Sequence, residues 1–128
     1  MARRGSRRPT KAELEILWVL WARGPSTVRE VHEALPHGRG TTYTTTLKLL
    51  QIMLEKDLVA RDESRRSHVY SARLKQRSAE KQLLAELTDT VFEGSVQKLV
   101  MRALGSRKMS PEEAREIRDL LDELEARE

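Results

Sequence analysis

The 128-residue sequence contains no cysteine. That absence excludes disulfides, thiolate metal sites and thiol nucleophiles together. Aromatic residues are scarce, and Trp18, Trp21, Tyr43, Tyr70 and Phe92 are the whole set. No apolar run approaches the roughly 20 residues that a membrane span requires. The first residues, Met-Ala-Arg-Arg-Gly-Ser-Arg-Arg, have no apolar segment behind them and do not read as a secretory signal. There is no glycine-rich phosphate loop, no nucleophile elbow, and no carboxylate pair beside a basic residue outside solvent-facing helix positions. His32, His37 and His68 fall in different elements without ligand spacing. No metal, cofactor or catalytic activity is expected. The length suits one compact domain, or a small domain with a helical appendage, and the expected location is the cytoplasm.

Charge is what the chain does have, and it is unevenly placed. Residues 1–77 carry 16 Lys and Arg against 8 Asp and Glu, a net of +8. Residues 78–128 carry 8 against 12, a net of −4. A basic segment that meets a polyanion, joined to an acidic segment with another task, fits this division. Mutual attraction of two halves within one fold fits it as well.

Along the chain, residues 1–9 hold four arginines without periodicity and read as a basic flexible arm. Thr10 with Glu13 forms a capping-box pattern, followed by Leu14, Leu17, Trp18 and Trp21 at helical spacing until Gly24-Pro25. Thr27 with Glu30 repeats the signal for a short helix carrying Val28, Val31 and Leu35, ending at Pro36. Residues 41–57 pose a conflict. The run Thr41-Thr42-Tyr43-Thr44-Thr45-Thr46 favours a strand by propensity. Tyr43, Leu47, Leu50 and Leu54, however, step by four, three and four, and Thr41, Thr44, Thr45 and Lys48 collect on a separate polar face. The longer periodic signal predicts a helix.

Residues 58–63 and 68–71 read as a hairpin around Ser64-Arg65-Arg66-Ser67, with alternating Val59, Arg61 and Val69, Ser71 sets. Helical pattern returns after Lys75. Leu83, Leu84, Leu87, Val91 and Phe92 form one apolar stripe; Val96, Leu99, Val100 and Leu104 form a second after Gly94. Ser110, Pro111 and Glu113 open a third helix with Ile117, Leu120, Leu121 and Leu124.

The expected fold is therefore mainly α with a small β-hairpin: a winged helix-turn-helix over residues 10–75, then a helical dimerisation region over 76–128. In a winged helix the third helix enters the major groove and the hairpin lies over the flanking backbone. Thr41, Thr42, Thr44 and Thr45 suit close approach to base edges, Tyr43 stands among them in the candidate DNA-binding set, and Lys48 reaches a phosphate or a guanine. Arg65 and Arg66 at the hairpin tip suit backbone contact. Arg39 in the preceding loop, with Thr27 and Arg29 at the start of the second helix, completes the candidate DNA-contacting set. Arg3, Arg4, Arg7 and Arg8 suit the phosphates or a minor groove. Plainer readings exist: a solvated helix start, a soluble turn and a solubilising arm. A winged-helix assembly module without a nucleic-acid role, and a regulator sensing a small ligand, remain alternatives.

The acidic segment has three apolar stripes on about 50 residues, too few to bury them alone. A second copy would let both chains share one core. A two-fold dimer also sets two recognition helices against a palindromic site.

The residues resemble the penicillinase and methicillin-resistance repressors of the BlaI/MecI type. The resemblance runs through Leu14 to Trp21, Gly24 to Val31, Tyr43-Thr44-Thr45-Thr46-Leu47, Leu50, Glu55 to Val59, Tyr70, and Ser110 to Leu121. It covers about residues 10–125. It implies a homodimeric repressor bound to double-stranded operator DNA, hence to the bacterial nucleoid, with C-terminal helices exchanging across the two-fold. It also implies relief when a membrane sensor protease, responding to an antibiotic or cell-envelope signal, cuts the dimerisation region. The sequence departs from the family at three places. The Asn-Phe cleavage pair corresponds here to Arg102-Ala103. The C-terminal cysteine pairs of the copper-responsive branch are missing, which excludes thiolate copper sensing. The family's glycine before Leu-Val is Asp57, at a helix end that needs a left-handed residue.

Overall fold

A hydroxyl three residues ahead of a glutamate starts the first helix as its sequence pattern requires. The computed structural model describes residues 8–36 and 41–127. Arg3, Arg4 and Arg7 of the basic arm and Arg39 of the DNA-contacting set lie outside these residues. Helix α1 (Lys11–Arg23) opens with the Glu13 amide donating to the Thr10 hydroxyl at 3.2 Å, and the Thr10 amide donating to the Glu13 carboxylate at 2.9 Å. The exchange satisfies amides that a first turn leaves open. Gly24 closes α1 at φ +88°, its amide bonded to the Leu20 carbonyl. A side chain there would be strained.

The buried stripe of α1 is Glu13, Ile16, Leu17 and Leu20, not the expected Leu14, Leu17, Trp18 and Trp21. Trp18 is 54% exposed. Two tertiary contacts set the rotation. The Trp21 indole N–H donates to the Leu74 carbonyl at 2.9 Å, holding that ring at the core boundary, where its apolar body and polar tip are both served. At the other end of the helix, Glu13 turns inward to meet Lys56 at 2.7 Å.

Strand β1 (Ser26–Thr27) follows directly and runs into helix α2 (Val28–Ala34), which Thr27 and Glu30 cap in the same reciprocal way. Helix α3 (Tyr43–Glu55) forms despite the threonine run, because the second of those threonines serves the helix. Thr42 is the N-cap, and its hydroxyl accepts the Thr45 amide at 3.1 Å. Its buried positions are Thr46, Leu50 and Met53, with Leu47, Leu49 and Leu54 at the core margin. Tyr43, expected in the apolar stripe, is 42% exposed. Thr46 takes its place inside, because the His32 ring nitrogen Nδ1 and the Thr46 hydroxyl share a hydrogen bond of 2.9 Å that satisfies the buried oxygen.

Strands β2 (Val59–Asp62) and β3 (Val69–Ala72) form the hairpin, and β1 adds to its other side, giving an antiparallel sheet of order β1-β3-β2. The sequence reading missed β1, since two residues carry no periodicity. Val59 pairs with Ala72 and Arg61 with Tyr70. Tyr70 is therefore the inward residue of β3, and Val69 and Ser71 belong to the other face. Ile16, Leu17, Leu20, Val28, Val31, Leu50, Met53, Leu58, Val59 and Tyr70 make one core. Full burial of each aliphatic member contributes about 1.5–3 kcal/mol.

The end of α3 is tied in two ways. Lys56, its C-cap, donates to the Glu13 carboxylate at 2.7 Å and to the Arg8 carbonyl at 3.2 Å. Asp57 then adopts φ +65°, the left-handed conformation expected from the sequence. Its amide reaches the Leu54 carbonyl, and the Leu58 amide reaches that of Met53. This is the paired closure of a Schellman motif, with Leu58 and Met53 both in the core.

The chain divides into two compact units, one ending at Gln82 and one starting at Leu83. The division falls inside helix α4 (Gln76–Thr90), which is followed by α5 (Val96–Ser106) and α6 (Pro111–Ala126). Val91 and Phe92 lie beyond the end of α4, in a turn completed by Glu93 at φ +53° and Gly94 at φ +83°. Ser95 caps α5, and Ser110 with Glu113 forms a full box at α6 with Pro111 at its start. Neither α5 nor α6 has a buried residue. Thr88 alone is buried among described residues 83–127.

Candidate nucleic-acid interface

The first half of α3 supplies a polar surface because its apolar positions are already committed to the core. Thr44, Thr45 and Lys48 stand exposed on it. Thr42 and Thr45 are bound to each other, with 3.1 Å between their hydroxyl oxygens. The pair keeps the N-terminal turn ordered while leaving oxygen lone pairs toward solvent. Thr41 is half-buried ahead of the cap.

Tyr43 is turned toward α2. The Arg29 guanidinium lies 5.6 Å from the centroid of its ring, and the His32 ring meets it edge-on at 6.0 Å and 80°. A guanidinium over an aromatic face is attracted by the ring quadrupole, by about 0.5–1 kcal/mol at an exposed site. Through the His32–Thr46 bond this cluster is joined to the buried side of α3.

The wing between β2 and β3 carries Arg65 and Arg66, both exposed. Its turn lacks a glycine and is ordered instead by Asp62, whose carboxylate accepts the Ser64 amide at 2.9 Å. That hydrogen bond, followed by one from the Ser64 side chain and the charge of Arg65, holds the Asp62 carboxyl below its ordinary value. Arg61 sits at the base of the wing, with its Nε 2.7 Å from Glu63. Hydrogen bonds to Tyr70 and then Glu63 raise its already high value.

These pieces surround one open cleft of about 450 Å³, to which Thr27, Arg29, Tyr43, Arg66, Ser67 and His68 all contribute. Four members of the sequence-derived set thus share a cleft, while Thr44, Thr45 and Lys48 lie on the exposed face of α3 and Arg65 stands outside the lining. Thr27 is also occupied by its cap, accepting the Glu30 amide at 3.2 Å. Sequence reasoning weighed His32 and His68 only as metal ligands, and placed neither of them, nor Asp62 or Ser67, at this surface. An Asp two residues before a Ser at a hairpin turn was a readable signal for one of them. The two histidines gain their surroundings only from the tertiary fold.

The residues singled out for dimerisation are largely open to solvent in the single chain. Leu84, Leu87, Val91, Val96, Val100, Leu120, Leu121 and Leu124 are exposed, and Leu83, Phe92, Leu99, Leu104 and Ile117 are half-buried. Met101 and Met109 extend this apolar surface at 65% and 39% exposure and were missed from sequence. Among the described residues, no helix is long and apolar enough to cross a membrane and no group of ligating side chains suits a metal ion.

Comparison with known proteins decides the family, because the pattern described as "Penicillinase repressor" matches residues 9–123. The chain belongs to the penicillinase repressor family. Its members are DNA-binding winged-helix repressors, and the six helices and small antiparallel sheet of the described residues have that architecture. Over 53 residues it is 45% identical to "Transcriptional regulator BlaI" of Mycobacterium tuberculosis, in both strain CDC 1551 / Oshkosh and strain ATCC 25618 / H37Rv. That stretch is 41% of this chain, and it spans only 38% of the length of those relatives. A solved MarR family transcriptional regulator from Silicibacter pomeroyi DSS is similar at a TM-score of 0.45 and 21% identity, over 94% of this chain and 71% of that one.

Proposed function

We propose that this penicillinase repressor family member acts as a homodimer whose two winged helices bind a pseudo-palindromic operator. The observation that carries the reading is the convergence of α2, the start of α3 and the wing on one cationic cleft, with Thr44, Thr45 and Lys48 exposed along the same helix. Threonine hydroxyls and methyls on α3 read base edges, Lys48 takes a phosphate or guanine, and Arg29, Arg65 and Arg66 engage the backbone. Dimerisation is supported by α5 and α6, which bury no residue in one chain while exposing leucines, valines and Met101. A second copy removes that surface from water.

Relief of repression follows from the same arrangement. Two linked half-site contacts bind far more tightly than one, so a cut in the helical region lowers operator affinity without touching the DNA-binding face. Arg102 and Ala103 lie exposed on α5, within reach of a membrane sensor protease that senses an antibiotic or envelope signal. A gel-shift titration on the DNA upstream of the protein's own gene tests the reading. Thr45→Ala should bind that DNA less tightly and lose preference over random duplex, by roughly 1–3 kcal/mol for a lost base contact. Equal wild-type affinity for both duplexes would remove the claim.

A further inference from the structure

The cleft formed by α2, α3 and the wing has a property that a general basic surface lacks. Arg29 from α2 and Arg66 from the wing both line it, with His68 and the Ser67 hydroxyl beside them. Among the described residues, neither guanidinium is paired with a carboxylate. Like charges gathered without a counter-ion repel one another, and a single anion placed between them relieves the repulsion. Arg29 is also already placed, lying over the Tyr43 ring at 5.6 Å. The ring attracts the cation through its π face and takes up no hydrogen bond to an oxygen, so the guanidinium N–H groups stay available to phosphate oxygens. Ordering Arg29 in advance lowers the entropy lost on binding.

The geometry points to a seat for one phosphodiester of the operator backbone in this cleft, shared by Arg29 and Arg66, with His68 as a third donor. It further points to Tyr43 as a positioning residue that carries Arg29 rather than a reader of bases. This inference rests on the operator-binding reading and assigns one surface within it a separate, sequence-independent task. The ligand is a DNA phosphate; free inorganic phosphate shares its chemistry and serves as a competitor that separates the two sources.

The test uses the full-length protein, its operator duplex and a random duplex, with affinities measured across a salt series. Arg29→Ala and Arg66→Ala should each weaken both duplexes alike, by about tenfold. Each neutralised phosphate contributes about 0.9 to the salt slope, so the double variant should lower it by about 0.9 per protomer. Additive losses with a fall near 1.8 overturn the shared seat and leave the repressor reading intact. Operator duplexes with a neutral methylphosphonate at single backbone positions should reveal one position per half-site where the Arg29→Ala penalty vanishes; no such position overturns the seat. Tyr43→Ala should reproduce the Arg29→Ala loss on random duplex, and Tyr43→Phe should recover most of it. A Tyr43→Ala variant altered only in sequence preference overturns the positioning role. Millimolar phosphate that displaces DNA from wild type but not from Arg29→Ala places free phosphate in the same seat, while equal displacement overturns that placement. A wild-type chain that binds duplex DNA without preferring its operator contradicts the repressor reading instead.

Discussion

The turn after α3 allows a stability prediction whose sign differs from ordinary helix propensity. Asp57 holds φ +65° and receives the Schellman closure of α3 through its own amide and that of Leu58. Compare Asp57→Gly with Asp57→Ala. Both variants lose the carboxylate, its position at the negative end of the helix dipole, and its 4.0 Å approach to Arg73. Those contributions cancel in the comparison. What remains is the backbone. An L-residue in the left-handed region costs about 1–2 kcal/mol, which alanine bears and glycine does not. Glycine in turn costs about 0.4–1 kcal/mol through its freer unfolded chain. Asp57→Gly should therefore exceed Asp57→Ala by about 1 kcal/mol, a Tm difference of roughly 4 °C for a domain of this size. At a helical position alanine leads by about the same amount. Urea unfolding followed by circular dichroism, at one protomer concentration, measures the difference. Equal stability, or alanine ahead, would refute the left-handed closure at residue 57.

Three other outcomes test separate parts of the structure. Lys56→Met leaves the Glu13 carboxylate, only 3% exposed, without its cation, and should cost about 3 kcal/mol; adding Glu13→Gln should return part of it, and a single-variant cost under ~1 kcal/mol would contradict the pairing. Asp62 has its carboxyl held low by the Ser64 amide, so the ordered wing turn gains from ionisation above the ordinary value of about 3.9 and loses that gain as pH falls through the depressed one. Carbon-detected NMR titration should place the Asp62 midpoint below 3.9, and a midpoint above it would count against the turn. Leu120→Glu with Leu121→Glu, at positions each 53% exposed in one chain, should yield a folded monomer in sedimentation with weakened operator binding; an unchanged dimer would move the interface elsewhere.

Among the described residues the sequence reading found the six helices and the hairpin: capping boxes marked α1, α2 and α6, while apolar spacing alone marked α3, α4 and α5. Residues 41–57 show why the longer signal was the better guide. Six residues favoured a strand, yet Thr42 became the cap and the steps Thr46, Leu50, Met53 became the buried line of α3. The choice of Tyr43 over Thr46 as the inward residue was wrong because hydropathy cannot register a buried hydroxyl satisfied by His32. Trp18 was misplaced for a related reason. The rotation of α1 is set by Leu74 and Lys56, both distant in sequence. The exposed threonines, Lys48 and the wing arginines were visible as a pattern. The cleft joining Arg29, Tyr43 and His68 was not, since it depends on how β1 directs α2 toward the wing.

Hydroxyl-radical footprinting of the full-length protein on the DNA upstream of its own gene bears most directly on the proposed dimeric repressor. Two protected half-sites should appear, related by a two-fold axis and centred a whole number of helical turns apart, about 10–10.5 base pairs or a multiple. Protection of one isolated half-site, or none beyond that on random DNA, would contradict it.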